Sequence, residues 1–378
     1  MSVVSKIISA ICHQGPRLGV TFTKSLLDTL NTSDSATASI VNSGALVHGS
    51  SFTVTGTGFG SKTGHDTRFD NASGTALTDT WDYAWPSDAN SAYNIQYRSV
   101  YRSVAMPHSR TSKYIVGGHD PAQSSASNGR NVLIGVDFAK SFPTYSRWEW
   151  YRRIDPSWNS TGSGGDNHKF YGLADGSGSP YSGGNDGKQN WYIEFRGGGD
   201  FPTSFTWHIN DDHPVPGTGI DVSSPYGDVE ASPITGWNKV VVLMRWNSSS
   251  SGLLSGYTHR IGSTRTTNFN QTQKTDGYTD SNNRSEAIEG YAGNSDSNNF
   301  RYMADVFYDH GTNDAVLYLT DNATFSLSTI IEAQFPISWS STSITANCNG
   351  GALSSGTVHL HLRSIENGNQ YLGTRTLS

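Results

Sequence analysis

Three stretches of the chain carry hydrogen-bonding and titratable side chains at every second position. In 147–153, Arg147, Glu149, Tyr151 and Arg153 alternate with Trp148 and Trp150. In 190–196, Tyr192, Glu194 and Arg196 alternate with Trp191, Ile193 and Phe195. In 205–210, Thr206, His208 and Asn210 alternate with Phe205, Trp207 and Ile209. A period of two is that of a β-strand, whose successive side chains point to opposite faces. Each stretch therefore predicts a strand with one apolar face and one polar face of an unusual kind. Solvated sheet faces commonly carry Thr, Lys and Glu. A mixture of Tyr, Arg, Glu, His and Asn instead suits a carbohydrate: C–H patches stack on aromatic rings, and hydroxyls pair with carboxylates, guanidinium groups and amides. The candidate glycan-binding residues are Arg147, Glu149, Tyr151, Tyr192, Glu194, Arg196, His208 and Asn210. The competing reading is an ion-pair ladder, Arg147 and Glu149 against Glu194 and Arg196, buried beneath a loop. Trp148, Trp150, Trp191 and Trp207 read as core rather than as stacking platforms.

The same residues raise the question of catalysis. A glycosidase needs two carboxyl groups about 5–5.5 Å apart for retention or about 6.5–9.5 Å for inversion, and Glu149 and Glu194 are the pair on offer. His208 with Tyr192 would serve as base and acid for a β-elimination. No G-x-S-x-G elbow is present. Gly56, Gly58 and Gly60 do not form a phosphate loop, because no helix pattern or GKS/T follows them. Asp166-Asn167, Asn185-Asp186-Gly187, Asp276-Gly277 and Asp305 with Asp309 offer hard oxygen ligands of the kind Ca2+ takes, without EF-hand spacing. Asp and Asn also cap their own backbone in turns. A structural calcium stays open, and no other cofactor is expected. Cys12 and Cys348 lack metal-binding spacing and are expected as free thiols, one in an arm and one in a strand.

The elements that position these groups follow from composition. Of 378 residues, 34% are hydrophobic and 15% charged, yet 11% are aromatic and 41 are Gly. Few charges with many aromatics is not a disordered composition, and Gly, Ser, Thr, Asn and Asp among aromatics favour strands and turns. The fold class expected is all-β. A net charge of −6 supplies no basic field for nucleic acid. No run of 18 apolar residues offers a membrane span. The apolar stretch Ile7–Cys12 is too short for the core of a signal peptide. An extracellular type of composition without that signal fits a virion protein, or one exported by another route.

Residues 1–38 form an arm in which Phe22, Leu26, Leu27 and Leu30 follow helical spacing. From Ser39 the pattern changes to period two. Gly49-Ser-Ser-Phe-Thr-Val-Thr-Gly-Thr-Gly-Phe-Gly60 resembles the opening of an immunoglobulin-like IPT/TIG domain. Its later strands resemble Ala315–Thr320, Ile330–Gln334, Ser341–Asn347 and Val358–Arg363. This implies one immunoglobulin-like sandwich from 39–66 plus 313–378, split by an insertion at 67–312. Insertion at an exposed turn is tolerated when its two ends emerge close together. The insert carries Val132–Phe138, Trp148–Ile154, Trp191–Arg196, Phe205–Asn210, Trp237–Trp246 and Phe300–Tyr308. In this pattern it resembles a concanavalin A-like jelly roll of the LamG or lectin kind. That resemblance implies a glycan groove on a concave sheet. It does not imply glucanase activity, because the E-x-D-x-x-E of such enzymes is not met after Glu149. Alginate lyases of this fold resemble R-x-E-L-R with Q-x-H. Arg147-Trp-Glu149 matches the start and then departs, and Q-x-H is absent.

These readings combine into a non-catalytic display protein. An immunoglobulin-like base with an arm carries a glycan-binding sandwich, as in virion surface proteins of tailed bacteriophages, for adhesion to host or environmental polysaccharide. The expected partners are a polysaccharide or cell-surface glycan, other virion proteins through the arm, and further copies of the chain in a homo-oligomer. The expected location is the virion surface, or otherwise the extracellular space. A polysaccharide lyase or hydrolase and a purely capsid-stabilising protein are the alternatives.

Overall fold

β-Branched and aromatic residues at alternate positions, broken by Gly, Asn and Asp, favour extended chain over helix. The computed structural model describes residues 44–85, 95–99, 101–118, 133–139, 144–154, 167–175, 190–196, 206–211, 225–226, 236–246, 252–263, 266–273, 283–289, 300–365 and 368–378. The arm, with its expected helix and Cys12, lies outside these residues. The first strands are β1 (Ser51–Thr55), β2 (Asp66–Asp70), β3 (Tyr83–Trp85), β4 (Gln96–Arg98), β5 (Tyr114–Gly117), β6 (Leu133–Ala139) and β7 (Thr144–Ile154). Next come β8 (Asn167–Asp175), β9 (Asn190–Arg196), β10 (Thr206–Asp211), β11 (Pro225–Tyr226), β12 (Asn238–Trp246), β13 (Gly252–Arg260) and β14 (Thr266–Gln273). The last are β15 (Asn283–Ile288), β16 (Arg301–Gly311), β17 (Val316–Thr320), β18 (Ile331–Ala333), β19 (Phe335–Trp339), β20 (Ser343–Asn347), β21 (Gly356–Ser364) and β22 (Gly368–Leu377). All six strand segments expected in the insert are present. Among the described residues there is no α-helix, and no helix is long and apolar enough to cross a membrane.

The strands make an all-β, jelly-roll-like architecture of antiparallel sheets. One sheet has the order β11-β10-β9-β8-β15-β6-β3, and another β14-β13-β12-β7-β16-β5-β4, with β2 also pairing β16. Their facing sides share one core, in which Trp148, Trp150, Val240, Val242 and Met244 meet Ile134, Val136, Phe170, Tyr171 and Ile288. Trp81 stacks on Trp148 with ring centroids 5.3 Å apart. Each buried aliphatic side chain there contributes about 1.5–3 kcal/mol.

Two smaller sheets, β1-β20-β19 and β18-β17-β21-β22, enclose a second core. It joins Leu46, Phe52, Val54 and Phe59 to Leu317, Leu319, Ile344 and Leu360, so the two ends of the described chain fold together. β1 lies antiparallel to β20 with Phe52 opposite Ala346. Cys348 follows β20 directly, rather than lying in a strand, and is a buried free thiol.

The two stretches that lead into and out of the intervening region are stapled together. The Asp309 carboxylate accepts from Lys62 Nζ, from Thr67 Oγ1 at 2.8 Å and from His65 Nδ1 at 3.3 Å. Asn313 N–H donates to His65 Nε2 at 3.2 Å, and Asn313 Nδ2 donates to Phe59 O at 3.0 Å. Burial alone would raise the Asp309 pKa, but Lys62 and His65 outweigh it and hold the carboxyl well below the usual range. Gly311 is required under this staple, since a Cβ there would come within 2.3 Å of the His65 ring.

The four-stranded sheet covers the outer side of the eight-stranded sheet containing β7, which becomes the middle of three layers. A bulge in β16 between Ala304 and Phe307 serves both sides of that layer. Val306 enters the sandwich core, while Asp305, at φ 48°, accepts from His108 Nε2 at 2.7 Å. A bulge re-aims side chains in this way, and Asp is among the few non-Gly residues that tolerate the left-handed region.

Candidate functional site

Strand pairing divides the eight predicted residues into two groups on different sheets. In the first, β9 runs antiparallel to β10 with Tyr192 opposite Asn210, Glu194 opposite His208 and Arg196 opposite Thr206. On its other side β9 pairs β8, with Gly172 opposite Tyr192, Lys169 opposite Glu194 and Asn167 opposite Arg196. Residues directly opposite each other share a face and are the interacting unit of a sheet. The register thus forms one row of Lys169, Glu194 and His208, beside a second of Gly172, Tyr192 and Asn210. The alternate row contains Ile288, Tyr171, Ile193 and Ile209. Ile288 and Tyr171 belong to the sandwich core. Lys169 was missed by sequence reasoning. An irregularity between Lys169 and Tyr171 shifts the alternation there, and nothing local announces it.

The second group is β7, in the other sheet. Arg147, Glu149 and Tyr151 are 6%, 1% and 1% exposed. The Glu149 carboxylate accepts from Arg147 Nε at 2.6 Å and from the Tyr318 hydroxyl, and Lys239 Nζ lies 3.9 Å away. Tyr151 donates to Glu332. Glu332 also receives Lys239 Nζ at 3.0 Å and the Ala352 N–H at 2.8 Å. Burial opposes the charge of Lys239, yet Glu332 and Glu149 hold it protonated with a raised pKa. Burial raises the Tyr151 and Tyr318 hydroxyls as well, and neighbouring carboxylates add to it.

These three residues are corrected from glycan contacts to the seam beneath the C-terminal sheet. The ion-pair alternative describes them in kind, with two differences. Their partners are Tyr318, Lys239 and Glu332 rather than Glu194 and Arg196, and the cover is a sheet rather than a loop. Glu149 and Glu194 lie on different sheets, which removes them as a carboxylate pair for glycosidase chemistry.

A further carboxyl lies inside the sandwich. Glu286 on β15 accepts from Trp148 Nε1 and Tyr171 Oη, each at 2.9 Å, and from Ser146 Oγ. Burial pushes it up to about 7, against the pull of those hydrogen bonds. Nearby Glu289 accepts from Trp150 Nε1 at 3.0 Å and from Arg152 Nε. Both are fully buried and bind the two sheets together. The sequence signal for them is Glu286-Ala-Ile-Glu289, two acids framing apolar positions.

Asp305 and Asp309, considered for calcium, are engaged by His108 and by Lys62, His65 and Thr67. Among the described residues no group of three or more His, Cys, Asp or Glu is arranged to hold a metal. Asp166, Asn185-Asp186-Gly187 and Asp276-Gly277 lie outside the described residues, and Asn167 is described as strand backbone.

No protein-family model matches the chain, and no curated protein sequence does. Solved structures similar to it include an endo-β-1,4-glucuronan lyase from the fungus Trichoderma reesei, at 12% identity and a TM-score of 0.41, over 70% of this chain and 98% of that one. Alginate lyase Aly36B is similar at 10% identity and a TM-score of 0.42, over 65% and 96%. Basic winged bean lectin with Tn-antigen is similar at 10% identity and a TM-score of 0.33, over 69% and 99%.

Proposed function

We propose that the chain is a carbohydrate-binding display protein whose glycan lies across β9 and β10. The observation that carries this reading is the register that sets Tyr192 opposite Asn210 and Glu194 opposite His208. It assembles, on adjacent strands, a ring for stacking beside amide, carboxylate and imidazole groups for hydroxyls. Arg196 extends the set by one position along β9. The seam formed by Arg147, Glu149 and Tyr151 takes no part. A structural calcium stays part of this reading, with Asp166-Asn167, Asn185-Asp186-Gly187 and Asp276-Gly277 as separate candidate stretches for its oxygen ligands.

The wider proposal is a virion-surface or other extracellular location, with the arm at 1–38 meeting other virion proteins and with homo-oligomeric assembly. The Gly-, Asn- and aromatic-rich composition supports it. A lyase is the second reading, favoured by the same register because Tyr192 and His208 stand on paired strands, where a base and an acid could share one sugar.

The test is a polysaccharide panel with the full-length protein, reading retention and chain shortening in the same samples. Retention without shortening is expected. Tyr192→Ala and Arg196→Ala should each weaken retention about tenfold with an unchanged melting temperature. Unchanged affinity in both variants refutes the site. Shortening that disappears in His208→Ala and Glu194→Gln replaces the display reading with the lyase.

A further inference from the structure

Beyond the seam, the outer side of the eight-stranded sheet continues over β4, β5 and the paired ends of β7 and β16. Tyr97 packs on the sandwich core and Arg152 bonds Glu289 there, so Arg98 and Arg153 take the opposite side of their strands. Arg98 stands opposite Tyr114 on β5. Arg153 stands opposite Tyr302, which in turn stands opposite Val116. Tyr114, Val116, Phe300 and Tyr302 form one buried cluster on this side. The two arginines thus flank an apolar and aromatic floor, three strand spacings or about 14 Å apart.

The Nε atoms of Arg98 and Arg153 are buried and have no hydrogen-bond partner. A buried guanidinium nitrogen without an acceptor is costly, and each side chain still keeps part of its surface exposed. The carboxylates on the adjoining strands are taken: Asp305 by His108 at 2.7 Å, and Glu289 by Trp150 and Arg152. Burial raises the Tyr114 hydroxyl pKa, while its bond to Tyr101 and the Arg153 charge pull it back, so that charge lies close to the floor. From Ile95 to Gly118 the chain carries Arg98, Arg102, Arg110 and Lys113 and no Asp or Glu, in a protein of net charge −6. Such segregation sets a local positive field on an acidic molecule.

A loop is pinned on this floor. The Tyr114 hydroxyl accepts from the Tyr101 N–H and donates to Tyr101 O at 3.1 Å. Arg102 and Ser103 follow at φ 50° and 58°, a left-handed pair that persists only where its surroundings impose it. The Arg102 guanidinium is already held over the Phe300 ring at 4.5 Å. The half-exposed Tyr101 ring lies 5.0 Å from Phe300 and 6.5 Å from Tyr302, centroid to centroid.

We infer that this surface binds an acidic polysaccharide, with Arg98 and Arg153 taking successive anionic groups and Tyr101 supporting a sugar ring. A guanidinium is the side chain best shaped for a carboxylate or a sulfate, and a tyrosine ring suits the C–H side of a pyranose. The separation of the two arginines favours an extended chain over a single small anion. The surface lies on a different sheet from β9 and β10 and does not depend on that reading.

The experiment is titration calorimetry on the full chain. The probes are an alginate hexasaccharide for carboxylate, a carrageenan hexasaccharide for sulfate, maltohexaose as the neutral sugar and a thymidine decanucleotide as a polyanion without sugar rings of this kind. The variants are Arg98→Gln, Arg153→Gln, Arg153→Lys and Tyr192→Ala. One or both acidic hexasaccharides should bind, more weakly as salt rises. Arg98→Gln and Arg153→Gln should each weaken binding about five- to tenfold, and Arg153→Lys should retain part of it. Neither Nε has a partner to lose, so the melting temperatures should hold. Absence of binding by both acidic probes overturns the inference, as does unchanged affinity in both Gln variants. Equal affinity for maltohexaose or for the decanucleotide overturns it too, by removing the need for acidic sugar. Loss confined to Tyr192→Ala also overturns it and leaves the β9–β10 site standing alone, whereas loss confined to the arginine variants supports it.

Discussion

Replacing Glu286 by Gln should stabilise the protein above pH 7 and leave it nearly unchanged at pH 4. The carboxyl lies between the two large sheets and takes hydrogen bonds from Trp148, Tyr171 and Ser146. Burial lifts its pKa from 4.5 to about 7. A carboxyl with a raised folded-state pKa keeps its proton longer in the folded protein than in the unfolded one. Its contribution is therefore fully present below pH 4.5 and is lost as pH rises through about 7. At about 1.4 kcal/mol for each tenfold change in proton affinity, the loss approaches about 3 kcal/mol well above pH 7. Gln does not titrate and reproduces the protonated form. Its oxygen accepts from Trp148, while its NH2 donates to the Ser146 and Tyr171 hydroxyls, which can turn to accept. Urea denaturation followed by Trp fluorescence at pH 5, 6, 7 and 8 measures the difference. The advantage of Glu286→Gln over wild type should grow by about 2.5 kcal/mol between pH 5 and pH 8. His310, pushed down to about 4 by burial, contributes with the opposite sign, since its stability is present above pH 6.5 and lost as pH falls through about 4. It titrates alike in both proteins and cancels. Parallel stability profiles for the two proteins would refute the reasoning, because they would mean Glu286 does not change its protonation in this range.

Two further predictions concern the seam and the staple. Glu332→Ala leaves Lys239 buried beside a carboxylate 3.9 Å away and removes the partner of Tyr151, and should cost about 3–5 kcal/mol in urea denaturation. The charge-free pair Lys239→Met with Glu332→Met should recover most of it, and failure to do so would mean that the seam depends on its charges. Asp309→Asn should cost about 3 kcal/mol by exposing the buried Lys62 ammonium to an uncharged partner. Lys62 and His65 hold the Asp309 carboxyl well below the usual range, so its contribution is present above the ordinary Asp pKa and lost only in strong acid. The cost should be equal at pH 4 and pH 7, and a smaller cost at pH 4 would contradict the staple.

The strands were legible because alternation is local. Trp148 and Trp150 against Arg147, Glu149 and Tyr151, or Ile193 against Tyr192 and Glu194, declare a strand and its two faces within seven or eight residues. The all-β class, the six strand segments of the insert, and the assignment of Trp148 and Trp150 to core follow from that pattern and from composition. The pairing of Glu194 with His208 was half legible, since the two strands are close in sequence, but their register depends on turns that carry no clear signal.

What the sequence could not decide is which polar face is covered. Arg147-Trp-Glu149 and Glu194-Phe-Arg196 are the same chemistry written in opposite order, and nothing local separates them. Their fates diverge through Tyr318 and Glu332, which arrive from a sheet formed more than 160 residues later and bury Glu149 while β9 joins the other layer. Lys169 comes opposite Glu194 only through β8–β9 pairing. Alternation is a property of one strand and is written in the residues themselves. Sheet membership and coverage are set by which distant apolar faces bury one another, and that exists only in the folded chain.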